Sequence, residues 1–158
     1  MFYLDLLSAL NRHEVRYLLV GGLAMNLHGV PRMTMDVDIM LALDEVNLEG
    51  FFAVAEELKL RPSLPVSLKE LADPTKRETW VKERNLIAFS LYCTEKMAPT
   101  VDVLIGTDLP FETAHARRVK REISGVPVSL AAVEDMLALK ELAGRAQDKA
   151  DIEHLRRI

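Results

Sequence analysis

The sequence is poor in the features that mark several specialised protein classes. It contains a single cysteine, Cys93, so no internal disulfide can form. No apolar run approaches the roughly 20 residues that cross a bilayer. The first residues include Asp5 and lack a basic leader, which argues against a signal peptide. We therefore expect a cytoplasmic protein that does not contact the membrane.

The sequence also contains fewer basic than acidic residues. The chain has 20 Lys and Arg residues against 24 Asp and Glu residues, a formal net charge of −4. Non-specific nucleic-acid binding depends on cations that neutralise phosphates, so the net charge argues against such binding over the whole surface, although a local basic patch is compatible with it. The densest basic run, Arg117, Arg118, Lys120 and Arg121, has no interleaved aromatic residues. It could follow an RNA backbone or an acidic partner, or form a solvated strand face.

Apolar residues are plentiful enough to build a core. They make up 49% of the 158 residues, which suits one domain over residues 1–158, with a core at 16–105 and C-terminal helices at 131–158. The spacing predicts an α/β (α+β) class with helices flanking a small mixed sheet. The predicted elements are a helix ending near Asn11, a strand at 16–20, a helix after Gly22, a strand at 35–43, a helix at 46–58, strands at 86–93 and 100–105, a helix near Phe111, strands near Val119 and Val126, and two tail helices separated by Gly144.

In one stretch the apolar residues follow neither helical nor strand-like spacing. Residues 61–85 contain Pro62, Pro65 and Pro74 among many charges. Proline breaks both helices and strands, so we expect an irregular, mobile excursion there.

Acidic residues alternate with apolar ones on two predicted strands. Asp36 and Asp38 flank Val37, so they share one face of a strand. At about 4 Å, two like charges repel by roughly 4 kcal/mol at an effective dielectric near 20, a cost that a shared divalent cation removes. An isolated Asp-x-Asp can also be the solvated face of an edge strand. Asp102, between Val101 and Val103, adds a third carboxylate, and three carboxylates suit Mg²⁺ or Mn²⁺.

Two further features could serve a phosphate group. Gly21 and Gly22 lie between a predicted strand and a helix, where backbone N–H groups can bind an anion. A Gly-Gly pair also occurs in ordinary tight turns that bind nothing. Arg32 and Thr34 precede the acidic pair. Arg32 could neutralise a phosphate or pair with a neighbouring carboxylate.

Taken together, VGGLAMNLHGVPRMTMDVDIM and TVDVLIG resemble the signature of the polymerase-beta-like nucleotidyltransferase superfamily. The motif Arg32-x-Thr34-x-Asp36-x-Asp38 and the tail LALKELAGRAQDKADIEHL look most like those of the AbiEii-type toxins of toxin–antitoxin systems. The resemblance covers residues 16–155.

The resemblance implies a nucleotidyltransferase fold and magnesium-dependent transfer of a nucleoside monophosphate from a triphosphate, with release of pyrophosphate. It assigns Gly21 and Gly22 to a phosphate turn, Asp36 and Asp38 to a metal pair, and Asp102 to deprotonation of the acceptor. The usual turn is Gly-Ser, and Gly22 stands in place of the serine.

The tail carries a second part of the resemblance. Lys140, Asp148 and Asp151 match a pattern that is linked to activity in AbiEii-type proteins. Lys140 could hold the triphosphate as a point charge, or snorkel along an apolar helix. Asp148 could instead be the N-cap of the last helix.

The sequence therefore favours transfer of a nucleotide to a macromolecular acceptor, either a tRNA end or a partner protein, by the toxin of a toxin–antitoxin pair with a cognate antitoxin partner. Antibiotic modification is an alternative with the same metal pair. A catalytically degenerate module that binds a nucleotide or a partner is a third hypothesis, motivated by the missing serine.

Overall fold

The computed structural model describes residues 2–158, apart from the side chains of residues 142 and 143. The helices are α1 (Phe2–Arg12), α2 (Gly21–Leu27), α3 (Glu45–Glu57), α4 (Pro74–Arg84), α5 (Phe111–Ala116), α6 (Val133–Ala143) and α7 (Ala146–Arg156). The strands are β1 (Tyr17–Val20), β2 (Val37–Leu41), β3 (Leu60–Pro62), β4 (Ala88–Cys93), β5 (Val101–Leu104), β6 (Val119–Ile123) and β7 (Val126–Leu130). A 3₁₀ helix covers Leu68–Ala72.

The strands form one seven-stranded mixed sheet in the order β3-β4-β5-β2-β1-β7-β6. β2 runs parallel to β5 and β1 runs parallel to β7, whereas the other neighbours are antiparallel. The expected class, helices with a mixed sheet, is confirmed. The sheet has one strand more than the sequence pattern predicts, because β3 adds an edge strand.

The two faces of the sheet differ in burial around Asp38 and Asp102, whereas at Leu18 and Met40 both faces are buried. Side chains alternate across a strand, so the register assigns each residue to a face. One face is closed by the core, and its central residues are 0–3% exposed: Tyr17, Leu19, Val37, Ile39, Leu41, Phe89, Leu91, Val101, Val103 and Leu130. The opposite face carries Asp38 and Asp102, and both are only half-buried. The open part of the sheet therefore coincides with the predicted site.

The N-terminal helices follow the sequence pattern closely. α1 buries Leu6, Leu7 and Leu10 and contacts β7 and α3. α3 begins after Asp44, whose side chain accepts a hydrogen bond from the Asn47 backbone N–H at 2.9 Å, a typical N-cap.

The predicted irregular excursion at residues 61–85 is wrong. This stretch contains β3, the 3₁₀ helix and α4. Pro74 is at the start of α4, where a missing N–H costs nothing, and Asp73 caps that helix. Trp80 is 5% exposed and its ring stacks on Phe89 with centroids 5.4 Å apart. The helix was missed because its buried face depends on a single tryptophan among charged residues.

In the described residues, no helix has the length and apolar character required to cross a bilayer.

We expect Trp80→Ala to lower the free energy of unfolding by about 3–5 kcal/mol, because it removes a large buried ring from the contact with β4. Urea denaturation followed by far-UV circular dichroism measures this. Tyr92→Ala is the control, since Tyr92 is on β4 but 45% exposed. Equal losses for the two variants would contradict the docking of α4 on the sheet.

Candidate active site

The central feature of the open face is a pair of carboxylates on adjacent strands. The parallel register of β2 and β5 places Asp38 opposite Asp102. The neighbouring strands extend this row with Val20 beside Asp38 and Ser90 beside Asp102. Paired residues of adjacent strands point to the same face, so the two carboxylates lie side by side.

The environment of this pair resists two negative charges. Burial, followed by the charge of Asp102 and a hydrogen bond with it, raises the pKa of Asp38 to about 7. Asp36 raises the pKa further by its charge, and Lys140 opposes the shift. Ionising both of two adjacent, partly buried carboxylates costs free energy, so such a pair shares a proton or binds a cation. Oxygen-only donors fit a hard divalent ion such as Mg²⁺ or Mn²⁺.

Asp36 occupies a different position from the one expected. β2 begins at Val37, so Asp36 precedes the strand and is exposed. Its Oδ1 accepts a hydrogen bond from Thr100 Oγ1 at 2.8 Å. The charge of Asp102 raises the pKa of Asp38 more than the charge of Asp36 does. The stronger electrostatic partner of Asp38 is therefore Asp102, across the sheet, and not Asp36 two residues earlier in sequence.

Two hydroxyl groups belong to the site and were not predicted. Ser90 Oγ donates to Asp102 Oδ1 at 2.6 Å, and Thr100 Oγ1 lies 3.4 Å from the same oxygen. No sequence signal singles out Ser90, because its contact depends on the β4–β5 register. Within residues 2–158 as described, no group of three or more His, Cys, Asp or Glu side chains is arranged to hold a metal ion. The three-carboxylate metal site stays a prediction.

The two glycines are required by close contacts. Gly21 has φ +71°, and a Cβ there would lie 2.1 Å from Asp38 Oδ2. A Cβ on Gly22 would lie 2.8 Å from both Cβ and Oγ1 of Thr34. A serine at position 22 would therefore collide with Thr34. The departure from the usual Gly-Ser turn has a packing reason.

Cations from α6 and from the segment before β2 meet at two buried carboxylates of α7. Lys140 is 8% exposed, and its Nζ lies 3.0 Å from Asp151 Oδ2 and 3.4 Å from Asp148 Oδ1. Arg32 Nη1 also lies 3.0 Å from Asp151 Oδ2. These contacts of Asp151 Oδ2 are ion pairs without hydrogen-bond geometry. Lys140 does not snorkel to solvent; it is held by two buried carboxylates.

The proposed N-cap role of Asp148 is wrong. α7 begins earlier, with Arg145 as the N-cap residue and Asp148 at the third helical position. The Asp148 carboxylate accepts from the Arg145 backbone N–H at 3.1 Å and from Arg145 Nε at 2.7 Å. The carboxylate thus reaches back to the cap from inside the helix, and it also contacts Lys140.

A cavity of about 490 Å³ covers the carboxylate pair. Its polar part is lined by Gly21, Asp38, Asp102, Lys140, Arg145 and Asp148. Its apolar lining consists of Val20, Ile87, Ala88, Leu104, Met136 and Leu139, and Gly106 and Thr107 complete the lining. The structure thus brings four predicted site residues to one cavity: Gly21, Asp38, Asp102 and Lys140. Gly22, Arg32, Thr34 and Asp36 are outside its lining.

The basic run lies elsewhere. Arg117 forms an ion pair with the buried Asp135 of α6, and Arg118 donates to the His115 carbonyl. Lys120 and Arg121 are exposed on β6, the edge strand at the β7 side of the sheet. Arg117 thus contacts α6 beside the cavity-lining Met136, whereas Lys120 and Arg121 are separated from β5 by three strands.

Comparison with solved structures identifies this arrangement of strands and helices. The lincomycin-bound lincosamide antibiotic adenylyltransferase LnuA matches with a TM-score of 0.60 and 16% identity, over 98% of this chain and 92% of that one. ANT(2'')-Ia in complex with adenylyl-2''-tobramycin matches with a TM-score of 0.59 and 15% identity, over 98% and 85%. The chain has a nucleotidyltransferase fold. An antigenic nucleotidyltransferase-like protein from Paracoccidioides brasiliensis also matches, with a TM-score of 0.57 and 20% identity over 96% and 74%.

The expected nucleotidyltransferase fold is therefore confirmed at the level of structure. No protein-family model matches the sequence, and a search of curated proteins found no significant match. The closer resemblance to AbiEii-type toxins stays a prediction.

We expect Gly21→Ala to destabilise the protein more than Gly29→Ala, as measured by thermal or urea denaturation. Both positions have positive φ, and an alanine there is strained by about 1–2 kcal/mol. A Cβ at Gly29 meets nothing within 4 Å, whereas one at Gly21 meets Asp38. Equal losses would show that Asp38 does not lie against the turn.

We expect Asp38→Asn to stabilise the metal-free protein at pH 8 but not at pH 4. The pKa of Asp38 is raised from 3.8 to about 7, so between these values the folded state keeps a proton that the unfolded chain has released. The stabilisation from this proton is present below about pH 4 and is lost as the pH rises towards 7. The asparagine variant does not ionise, and its advantage at pH 8 should reach about 2–4 kcal/mol.

Urea denaturation in a chelating buffer at both pH values measures this difference. Asp108→Asn, at an exposed position after β5, is the control. An advantage of Asp38→Asn that does not change with pH would contradict the raised pKa.

Proposed function

We propose that this chain is a metal-dependent nucleotidyltransferase that moves a nucleoside monophosphate from a nucleoside triphosphate onto an acceptor and releases pyrophosphate. The observation that carries the proposal is the Asp38–Asp102 pair in a cavity whose lining also contains Lys140. Adjacent carboxylates and a buried cation together suit a substrate that arrives as a metal-bound polyphosphate. The nucleotidyltransferase fold supports this assignment.

Asp38 and Asp102, with Asp36 beside them, would hold Mg²⁺ or Mn²⁺. Their fit to such an ion follows from their oxygen donors and from the raised pKa of Asp38. When bound, the ion would neutralise charge that develops on the phosphate oxygens. Gly21 leaves the space above Asp38 free of a side chain.

Asp102 would accept the proton of the acceptor hydroxyl. The acceptor oxygen forms a bond to the α-phosphorus, the bond to the bridging oxygen breaks, and pyrophosphate leaves with that electron pair. The hydrogen bond from Ser90 occupies Asp102 Oδ1. Ser90 therefore orients the carboxylate and leaves its other oxygen for the proton.

Lys140 and Arg145 would bind the phosphates of the triphosphate. Both line the polar part of the cavity, and Asp148 contacts both of them. For Arg32 the structure favours the second of the two readings from sequence, since Arg32 pairs with Asp151. Arg32 and Thr34, together with Gly22, would then order the segment that leads to Asp36.

The acceptor has two candidate classes. The resemblance to AbiEii-type toxins supports a macromolecular acceptor, an RNA end or a partner protein, for a cytoplasmic toxin with a cognate antitoxin. Antibiotic modification is favoured by a different observation: the neighbours include LnuA with lincomycin and ANT(2'')-Ia with an adenylylated tobramycin. Lys120 and Arg121 of the basic run are separated from β5 by three strands, so an RNA acceptor would need a further contact surface beside the cavity.

The hypothesis of a degenerate module loses its main support. It was motivated by the missing serine at position 22, and the close approach of Thr34 gives that glycine a packing reason.

Calorimetric titration of each nucleoside triphosphate with Mg²⁺ tests the proposal without knowledge of the acceptor. We expect the wild type to bind and Asp36→Asn/Asp38→Asn to bind at least about tenfold more weakly, because the variant loses charged ligands of the metal. Asp108→Asn is the matched control and should bind like the wild type. A wild-type protein that binds no triphosphate would overturn the proposed function.

Incubation with an α-labelled triphosphate then separates the acceptor classes. Label on RNA or protein would identify a macromolecular acceptor, and label on a lincosamide or an aminoglycoside would identify antibiotic modification.

A further inference from the structure

The residues that line the cavity over the carboxylate pair fall into a charged set and an apolar set. Its cationic groups, Lys140 and Arg145, are on α6 and at the start of α7. The apolar lining extends away from Asp102 along β4 and β5, where Ala88 pairs with Leu104 on the same face of the sheet. Met136 and Leu139 also line the cavity from α6, the helix that carries Lys140, and Val20 lines it beside Asp38. Ile87, 59% exposed, completes the apolar part.

A nucleoside triphosphate is divided in the same way. Its phosphates are strongly hydrated anions, and moving them to an aliphatic surface without partners would cost a large desolvation penalty. The base has flat apolar faces and gains free energy when they leave water. With the phosphates on Lys140 and Arg145, the base is the part of the substrate that suits the apolar lining.

The apolar part offers few groups that could read the edge of a base. Among the described residues that line it, Thr107 has the only side chain that forms hydrogen bonds, and its Oγ1 already accepts from the Leu109 N–H at 3.2 Å. The Gly106 N–H donates to the Ile87 carbonyl at 3.0 Å. No aromatic side chain of the described residues lines the cavity, so stacking does not add selectivity.

We propose that the apolar part of the cavity, formed by Ile87, Ala88, Leu104, Met136 and Leu139, binds the nucleobase by burial without reading its hydrogen-bonding edge. The protein accordingly accepts all four nucleoside triphosphates with similar affinity. This inference rests on the proposed triphosphate site, and it adds where the base lies and how little it is discriminated.

The experiment compares ATP, GTP, CTP and UTP with inorganic tripolyphosphate, each with Mg²⁺, by calorimetry on the full chain. Tripolyphosphate carries the phosphates without a base. We expect the four nucleotides to bind within about tenfold of one another, with purines ahead because they bury more surface. Tripolyphosphate should bind at least about tenfold more weakly than ATP.

Two substitutions in the cavity locate the effect. Ile87→Ser should weaken binding of all four nucleotides by about threefold to tenfold and leave tripolyphosphate unchanged. Because Ile87 is exposed, the variant should fold like the wild type. Val46→Ser is the matched control, since Val46 is 79% exposed on α3 and does not line the cavity. Thr107→Val should change the ranking of the four bases by less than about threefold.

The outcomes are distinguishable. If one nucleotide binds more than about a hundredfold more tightly than the others, the base is recognised by more than burial and the inference is wrong. The same holds if Thr107→Val abolishes a preference for one base. Tripolyphosphate that binds as tightly as ATP would remove the base site and keep the phosphate site. If neither the nucleotides nor tripolyphosphate bind, the proposed function fails and this inference fails with it.

Discussion

The arrangement of the open face follows from one electrostatic constraint: two carboxylates lie side by side in a partly buried position. The parallel register of β2 and β5 fixes Asp38 against Asp102, and burial raises the pKa of Asp38 to about 7. Such a pair is costly unless a proton or a cation compensates the charge. The groups around it are consistent with that need, since Gly21 lacks a side chain against Asp38 and Lys140 approaches from α6.

The cations are themselves held by buried carboxylates. Asp148 and Asp151 are no more than 1% exposed, and together they contact Lys140, Arg32 and Arg145. Buried charges are tolerated in proteins when they are paired, so the α6–α7 hairpin keeps its cations next to the cavity without a bound anion. The same cluster joins the C-terminal helices to the segment that precedes β2. The site therefore depends on the last helices as much as on the sheet.

Sequence reasoning worked where the signal is local. Period-two alternation located the strands of Asp38 and Asp102, and helical spacing located α1, α3 and the two tail helices. It failed where the structure depends on contacts between residues that are distant in sequence. α4 has a single buried tryptophan, and the pairing of Ser90 with Asp102 depends on strand register. The reason for Gly22 was also out of reach, because only the folded chain places Thr34 against it.

The central claim is that Asp38 and Asp102 form one site that needs a cation. The most direct measurement is a pH titration of the Asp38 carboxyl carbon by ¹³C NMR, with and without Mg²⁺. We expect an apparent pKa near 7 in the metal-free protein and a marked fall when Mg²⁺ is added, because the ion favours the charged form. An Asp38 carboxyl that titrates at its ordinary value, or one that is indifferent to Mg²⁺, would contradict the claim.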